Sequence, residues 1–79
     1  MKPELSLVVM PFCPYCNKVL RFMKKRGIEI EVKSTDEPGV RDFLVERGGK
    51  FQAPCLFIDG EALYESDDII VYLDKAFSA

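Results

Sequence analysis

Two cysteines separated by two residues, Cys13 and Cys16, are the side chains in this 79-residue sequence best suited to chemistry. They follow an apolar run, Leu5–Val9, and precede a segment in which apolar residues recur at helical spacing. Thiols at this spacing can exchange disulfides, bind a metal or fill an apolar core. The helices and strands around the two cysteines help to decide between these three uses.

The position of Cys13 favours disulfide exchange. It follows the first predicted strand, at or just before the first turn of a helix, and Pro14 takes an early helical position where a missing N–H costs nothing. Unpaired backbone N–H groups and the positive end of the helix dipole favour thiolate over thiol at such a site. Cys16 lies one turn further into the helix, within reach of a mixed disulfide on Cys13. We predict that Cys13 is the nucleophile and Cys16 the resolving thiol.

Metal binding and structural packing stay open as alternatives. A closed zinc site takes four N or S ligands, and this sequence has no histidine and one further cysteine, Cys55, in a predicted strand. We therefore expect no metal within one chain, although an iron–sulfur cluster shared by two chains and completed by outside thiols would satisfy the ligand count. Core cysteines are common, and we expect Cys55 to fill the core, with regulatory oxidation as a second option.

Hydrophobic periodicity predicts the elements that position these thiols. Four segments are predicted as strands: Leu5–Val9, 28–32, 53–59 and 61–65. Three segments are predicted as helices: Pro14–Arg26, a helix through Val40, Phe43 and Leu44, and 66–77 capped by Ser66. Gly27 is predicted to end the first helix, and Asp59 with Gly60 to form a hairpin turn. The order β-α-β-α-β-β-α predicts an α/β fold, a mixed four-stranded sheet flanked by helices.

Composition predicts one small domain over residues 1–79. The hydrophobic fraction of 48% excludes a disordered chain, and the net charge of −2 provides no general attraction to nucleic acid. No apolar run approaches the roughly 18 residues of a spanning helix, and the N-terminus lacks the pattern of a signal peptide. We expect a cytoplasmic monomer that binds neither nucleic acid nor a membrane.

Three segments resemble the glutaredoxin family over nearly the whole chain. "CPYC", from Cys13 to Cys16, is similar to the active-site tetrapeptide of dithiol glutaredoxins. "QAPCLFIDG", residues 52–60, is similar to the family segment in which a cis proline faces the cysteines. "ESDDIIVYL", residues 65–73, is similar to the start of the family's last helix and to the glutathione-binding segment of glutathione transferase N-terminal domains. The resemblance implies a thioredoxin-like fold of the glutaredoxin type.

The resemblance also implies an enzyme, a glutathione-dependent thiol–disulfide oxidoreductase. Glutathione would be its electron-donating cosubstrate, and disulfide-containing or glutathionylated proteins would be its substrates. The residues implied to contact glutathione are Tyr15, Lys50, Gln52, Ala53, Pro54, Ser66 and Asp67. A glutaredoxin-like redoxin reduced by thioredoxin reductase is a second hypothesis, which the lack of tryptophan disfavours. A third is a non-enzymatic module that binds an iron–sulfur cluster or a partner protein through the same groove.

Each implied contact has a role in the family and an ordinary alternative. The Ala53 backbone would bind the cysteinyl part of glutathione, with Pro54 against the Cys13 sulfur, but Pro54 could instead be a trans edge proline. Ser66 and Asp67 would hold the γ-glutamyl end, or simply start a helix. Lys50 or Gln52 would take the glycyl carboxylate, and Tyr15 would flank the tripeptide or be a surface aromatic. Three phenylalanines are interpreted as packing residues: Phe12, Phe51 and Phe57.

The sequence departs from the glutaredoxin pattern at three places. Met10 stands where most dithiol glutaredoxins have a lysine, so one charge that helps to ionise the thiol is missing. Phe12 replaces threonine or a similar residue before the first cysteine, and Tyr64 with Glu65 replaces a glycine pair. The last of these departures is closer to the transferase pattern.

Overall fold

The computed structural model describes residues 3–78, which form four strands and three helices in the predicted order. The elements are β1 (Leu5–Val9), α1 (Pro14–Arg26), β2 (Glu31–Ser34), α2 (Val40–Gly48), β3 (Cys55–Ile58), β4 (Glu61–Leu63) and α3 (Ser66–Ala76). Within these described residues, no helix has the length and hydrophobicity needed to cross a membrane.

The four strands form one mixed sheet in the order β2-β1-β3-β4. Strands β1 and β2 are parallel, as expected for a helical crossover, whereas β3 pairs antiparallel with both β1 and β4. Val8 lies opposite Cys55, and Leu56 lies opposite Leu63. The end of β1, the start of β3 and the end of β4 therefore meet at one edge of the sheet. The loops that carry Cys13, Pro54 and Ser66 all leave from this edge.

Alternating side chains divide the interior into two cores, one on each face of the sheet. On β1, Leu7 and Val9 point into the first core and Val8 into the second. The first core is completed by buried residues of α1 and α3: Cys16, Val19, Met23, Ile69 and Leu73. The second core is completed by α2 and β3: Val40, Leu44, Cys55 and Phe57. The sheet therefore separates Cys55 from the other two cysteines.

The second strand begins later than predicted. Gly27 ends α1 in the left-handed region, at φ 68°, and the N–H of Ile28 donates to Met23 O at 2.9 Å. This is the closing pattern of a helix C-terminus, so the apolar Ile28 belongs to the end of the helix and not to a strand. Strand pairing starts at Glu31 and continues to Ser34, and Val32, predicted to face inward, is exposed on this edge strand.

Two turns bring the last three elements together. Asp59 and Gly60 take positive φ values of 50° and 89°, which confirms the predicted hairpin turn. Strands β3 and β4 are both shorter than their predicted ranges. The prediction that Ser66 caps the last helix is wrong: Glu65 holds the extended N-cap position and Ser66 is the first helical residue. No side-chain hydrogen bond caps this helix, so its first backbone N–H groups are left without a side-chain partner.

Candidate active site

Cys13 occupies the N-cap position of α1, as the sequence predicts. Its backbone is extended, at φ −106° and ψ 108°, and Pro14 takes the first helical position. The N–H of Cys16 donates to Cys13 Sγ at 3.2 Å, so the sulfur takes the place that a serine or aspartate oxygen holds in an ordinary cap. The Cys13 residue is 9% exposed and Cys16 only 1%. An N–H donor and the positive end of the helix dipole therefore act on the more accessible of the two sulfurs.

Cys16 is held as a thiol by its surroundings. Burial raises the pKa of Cys16 to about 12, and the hydrogen bond and negative charge of Cys13 add to this rise. A backbone hydrogen bond from Met10 acts in the opposite direction on the same pKa. When Cys13 is converted to a disulfide its charge is lost, so one cause of the high Cys16 pKa is removed while burial remains. Both cysteines are free thiols in this structure.

The Ala53–Pro54 peptide bond is cis and lies beside the cysteines, as the sequence comparison implied. In its thiol form Cys13 donates to the Ala53 carbonyl oxygen, with Sγ and O 3.8 Å apart. Loss of the thiol proton ends this hydrogen bond and frees the carbonyl oxygen for another donor.

A cavity of about 340 Å³ opens between the start of α1, the segment before β3 and the start of α3. Its lining includes six of the predicted glutathione contacts: Tyr15, Gln52, Ala53, Pro54, Ser66 and Asp67. The seventh, Lys50, is not part of this lining. Its ammonium lies 4.5 Å from the centre of the Tyr64 ring, and its carbonyl accepts a hydrogen bond from the Tyr64 hydroxyl at 3.1 Å.

Three residues not predicted from the sequence also line the cavity: Lys18, Tyr64 and Glu65. Lys18 forms an ion pair with Asp67, across the gap between α1 and α3. Its place could have been anticipated in part, because Tyr15 and Lys18 are three residues apart and share one face of a helix. Its partner could not, since Asp67 is 49 positions away in the sequence.

Tyr64 connects the cavity with the end of α2. A Cβ atom placed on Gly48 would lie 2.0 Å from the Tyr64 hydroxyl oxygen, so a side chain at Gly48 and the observed tyrosine position are incompatible. Tyr64 also packs against the second core. Burial raises the pKa of this tyrosine, with further rises from the charge and hydrogen bond of Cys55.

Cys55 is fully buried in the second core, in agreement with its predicted role as a core residue. Burial raises the pKa of Cys55 to about 11, although a hydrogen bond with Tyr64 acts to lower it. Its position next to Pro54 in the chain does not bring it to the Cys13 and Cys16 pair, because Cys55 points into the second core and only the next strand residue, Leu56, points into the first.

Phe12 is not a packing residue, contrary to the prediction. Its side chain is fully exposed, and its backbone takes a left-handed conformation at φ 58° immediately before Cys13. The other two phenylalanines fit their predicted roles better: Phe57 is buried, and Phe51 lies at the surface with the Arg41 guanidinium 4.8 Å from its ring centre.

Comparison with known proteins shows which families this chain resembles. The family model described as "Glutathione S-transferase, N-terminal domain" matches residues 7–79. The chain belongs to this family. It also belongs with the glutaredoxins, because it is 30% identical over 68 residues to Glutaredoxin-1 of Rhizophagus irregularis, covering 81% of this chain and 67% of that protein.

Solved structures similar to this chain include the following two. One is the thioredoxin-like protein BC3987, with a TM-score of 0.76 and 23% identity, covering 94% of this chain and all of that one. The other is rice GST1 in complex with glutathione, with a TM-score of 0.76 and 28% identity, covering 98% of this chain but 35% of that one. The thioredoxin-like fold implied by the sequence resemblance is confirmed, and the chain spans about a third of the length of the rice transferase.

Within residues 3–78 there is no group of three or more His, Cys, Asp or Glu side chains placed to hold a metal ion. A cluster bound at Cys13 would therefore need ligands from outside this chain, as the ligand count in the sequence already required.

Proposed function

We propose that this domain is a glutathione-dependent thiol–disulfide oxidoreductase in which Cys13 is the nucleophile. Family membership supports a glutathione-related thiol oxidoreductase in general. The observation that carries the specific proposal is the Cys13 sulfur at the α1 N-terminus, accepting the Cys16 N–H at 3.2 Å beside the cavity-lining residue Ala53. Such a position favours a reactive thiolate next to a space for a small ligand.

With a glutathionylated protein, the Cys13 thiolate attacks the glutathione sulfur of the mixed disulfide. A Cys13–glutathione disulfide forms, and the protein leaves as a thiolate that takes up a proton. A second glutathione thiolate then attacks the glutathione sulfur on Cys13. Oxidised glutathione is released and Cys13 returns as thiolate, so that overall the mixed disulfide and one glutathione become the protein thiol and oxidised glutathione.

With a disulfide between two protein thiols, Cys16 takes part. Cys13 attacks one sulfur and releases the other as a thiolate, and Cys16 then loses its proton and attacks the Cys13 sulfur. The substrate leaves as a dithiol and a Cys13–Cys16 disulfide remains, which two glutathione molecules reduce while becoming oxidised glutathione. Burial keeps the pKa of Cys16 raised, so only a small fraction of Cys16 is thiolate at neutral pH when it attacks.

The cavity provides suitable groups for the tripeptide. We propose that the Ala53 backbone pairs with the cysteinyl residue of glutathione, and that the uncapped first turn of α3 at Ser66 receives a carboxylate. Tyr15, exposed on the first turn of α1, flanks the ligand. Gln52 lies in the cavity lining and is better placed than Lys50 for the glycyl carboxylate, because the Lys50 ammonium sits on the Tyr64 ring.

Turnover coupled to glutathione reductase tests the proposal. Wild type reduces glutathionylated protein with glutathione as donor, and Cys13→Ser lowers the rate by more than about 1,000-fold, since loss of a nucleophile removes most of an enzyme's rate enhancement. Cys16→Ser keeps this activity and loses the reduction of protein disulfides that proceeds through the Cys13–Cys16 disulfide. Cys55→Ala is the matched control and retains both activities, because Cys55 lies on the other face of the sheet.

Three results would contradict the proposal. Wild type could lack turnover with glutathione, Cys13→Ser could remain active, or turnover could depend on thioredoxin reductase instead of glutathione. A brown dimer after anaerobic reconstitution with iron and sulfide would favour the cluster-binding alternative.

A further inference from the structure

The basic residues of this chain are concentrated on α1. The helix contains five of the 11 basic residues and none of the 13 acidic ones, although the whole chain carries a net charge of −2. Cations in the last turn of a helix complement its dipole, which accounts for Lys24, Lys25 and Arg26. Arg21 lies outside the last turn. The helix dipole therefore does not explain the whole set.

The cations of α1 have two different environments. Lys18 and Arg26 form ion pairs with aspartates of α3. Arg21 and Lys24 are exposed, and among residues 3–78 neither takes part in an ion pair. Together with Asn17 they recur at intervals of three and four residues, so they share one side of the helix. On this side the positive charges are not neutralised by carboxylates of the described chain.

A groove of about 450 Å³ follows this side of α1. We call it the outer groove, and its lining consists of Pro14, Asn17, Leu20, Arg21 and Lys24. None of these residues lines the cavity between α1 and α3 that is proposed to bind glutathione. Both spaces begin in the first turn of α1, directly after the nucleophile. A molecule attached to the Cys13 sulfur therefore has two separate surfaces within reach.

A glutathionylated protein has two parts to place, one on each side of its disulfide bond. When the glutathione part fills the cavity, the protein part leaves in another direction, and the outer groove is open there. Arg21 and Lys24 lie eight and eleven residues after Cys13, which is about 12 and 16 Å along the helix. An extended chain covers this distance in about four to five residues. Cations at this distance attract carboxylates of the segment around the target cysteine.

We propose that the outer groove binds an acidic segment of a protein substrate, with carboxylates about four to five residues from the target cysteine meeting Arg21 and Lys24. The role of this segment as a substrate rests on the proposed function. The preference for acidic chains rests on the groove and on its unpaired cations. Among glutathionylated proteins, those with acidic residues at this distance are the preferred substrates.

Turnover of three glutathionylated peptides tests the outer groove. Each has one cysteine, which carries glutathione, and the positions four and five residues away on both sides are glutamate in the first peptide, glutamine in the second and lysine in the third. The nearest neighbours of the cysteine are identical, so the reactivity of the disulfide is matched. The ratio of kcat/KM between peptides is measured for wild type, Arg21→Gln, the double variant Arg21→Gln with Lys24→Gln, and Lys25→Gln. The last is the matched control, because it removes one charge from the same helix outside the groove lining.

Wild type prefers the glutamate peptide to the glutamine peptide by roughly 5- to 20-fold at low salt, as expected for two exposed ion pairs, and the lysine peptide is the poorest substrate. Arg21→Gln lowers this preference by about two- to fivefold, the double variant abolishes it, and Lys25→Gln keeps most of it. The preference of wild type disappears as the ionic strength rises from about 0.01 M to about 1 M, since the Debye length falls from about 30 Å to about 3 Å.

Equal kcat/KM for the three peptides in wild type, or the same loss of preference in Lys25→Gln as in Arg21→Gln, would overturn the outer groove and leave the proposed function intact. NMR titration with the same peptides, carrying serine in place of the modified cysteine, tests binding without turnover. A protein that reduces none of the disulfides but binds the glutamate peptide at the groove, with loss of binding in the double variant, would support the groove and overturn the proposed function. Tighter binding of a single-stranded oligonucleotide than of the glutamate peptide would assign this face to nucleic acid and overturn the proposal.

Discussion

The two faces of the sheet place cysteine thiols in opposite environments. On the face covered by α1 and α3, Cys13 stands at a helix N-terminus, accepts a backbone N–H and lies beside Ala53, which lines a cavity. On the face covered by α2, Cys55 is fully buried, and burial raises its pKa to about 11. Cys13 and Cys55 each adjoin a proline, and both lie near the same edge of the sheet. We infer from this contrast that the surroundings of a cysteine, and not the residue type, decide whether its thiol can react.

The largest expected effect is on alkylation. At neutral pH, iodoacetamide should modify Cys13 more than about 1,000-fold faster than Cys55, because a rise in pKa from 9.0 to about 11 lowers the thiolate fraction about 100-fold and full burial adds the cost of local opening. Peptide mass spectrometry after timed quenching measures both rates. Similar rates for the two cysteines in the folded protein would break the comparison between the faces.

The next effect is the pH dependence of the resolving step. The pKa of Cys16 is raised to about 12, so the thiolate fraction, and with it the intramolecular attack, should rise about tenfold per pH unit between pH 6.5 and 8.5. Stopped-flow release of glutathione from the preformed Cys13 mixed disulfide measures this rate, and Cys16→Ser is the control that shows no release. A plateau below pH 8 would require a Cys16 pKa below its ordinary value of 9.0 and would contradict a pKa raised by burial.

A third prediction probes the contact between α2 and the cavity. Gly48→Ala should lower the free energy of unfolding by about 1–3 kcal/mol, because the new methyl group overlaps the Tyr64 hydroxyl and breaks its hydrogen bond to Lys50 O. Urea unfolding measures the loss. In a Tyr64→Phe background the same substitution should cost less, since the overlapping oxygen is gone. A Gly48→Ala variant as stable as wild type would show that Tyr64 moves freely.

The smallest effect concerns the residue before the nucleophile. Phe12→Asn should raise the free energy of unfolding by about 0.5–1 kcal/mol, because Asn adopts a positive φ more readily and the fully exposed ring loses no packing. The control is Asp59→Asn, at a similar φ in the hairpin turn, where stability should barely change. Thermal unfolding of the two variants measures the difference, and a destabilised Phe12→Asn would disprove strain at this position.

Much of the fold and part of the site could be predicted because their signals are local. The hairpin at Asp59 and Gly60 and the stop at Gly27 each depend on φ preferences of one or two residues. Strand 28–32 was misplaced because alternation cannot distinguish a strand from an apolar residue that closes a helix, as Ile28 does. Serine is a preferred N-cap residue, which is why the sequence predicts Ser66 as the cap, but Glu65 takes that position without a side-chain hydrogen bond.

The sequence by itself determined how the cysteine pair sits on its helix. The spacing of Cys13, Pro14 and Cys16 places the N-cap, the first helical residue and the second thiol within a single turn of backbone. Only the tertiary structure decided that Cys55 faces the other core, that Gly48 leaves room for the Tyr64 hydroxyl, and that Lys18 meets Asp67. The physical reason is the distance in sequence over which each effect acts. Capping and dipole effects act within a few residues. These contacts join segments far apart in the sequence, and the segments approach each other only when all the strands of the sheet have paired.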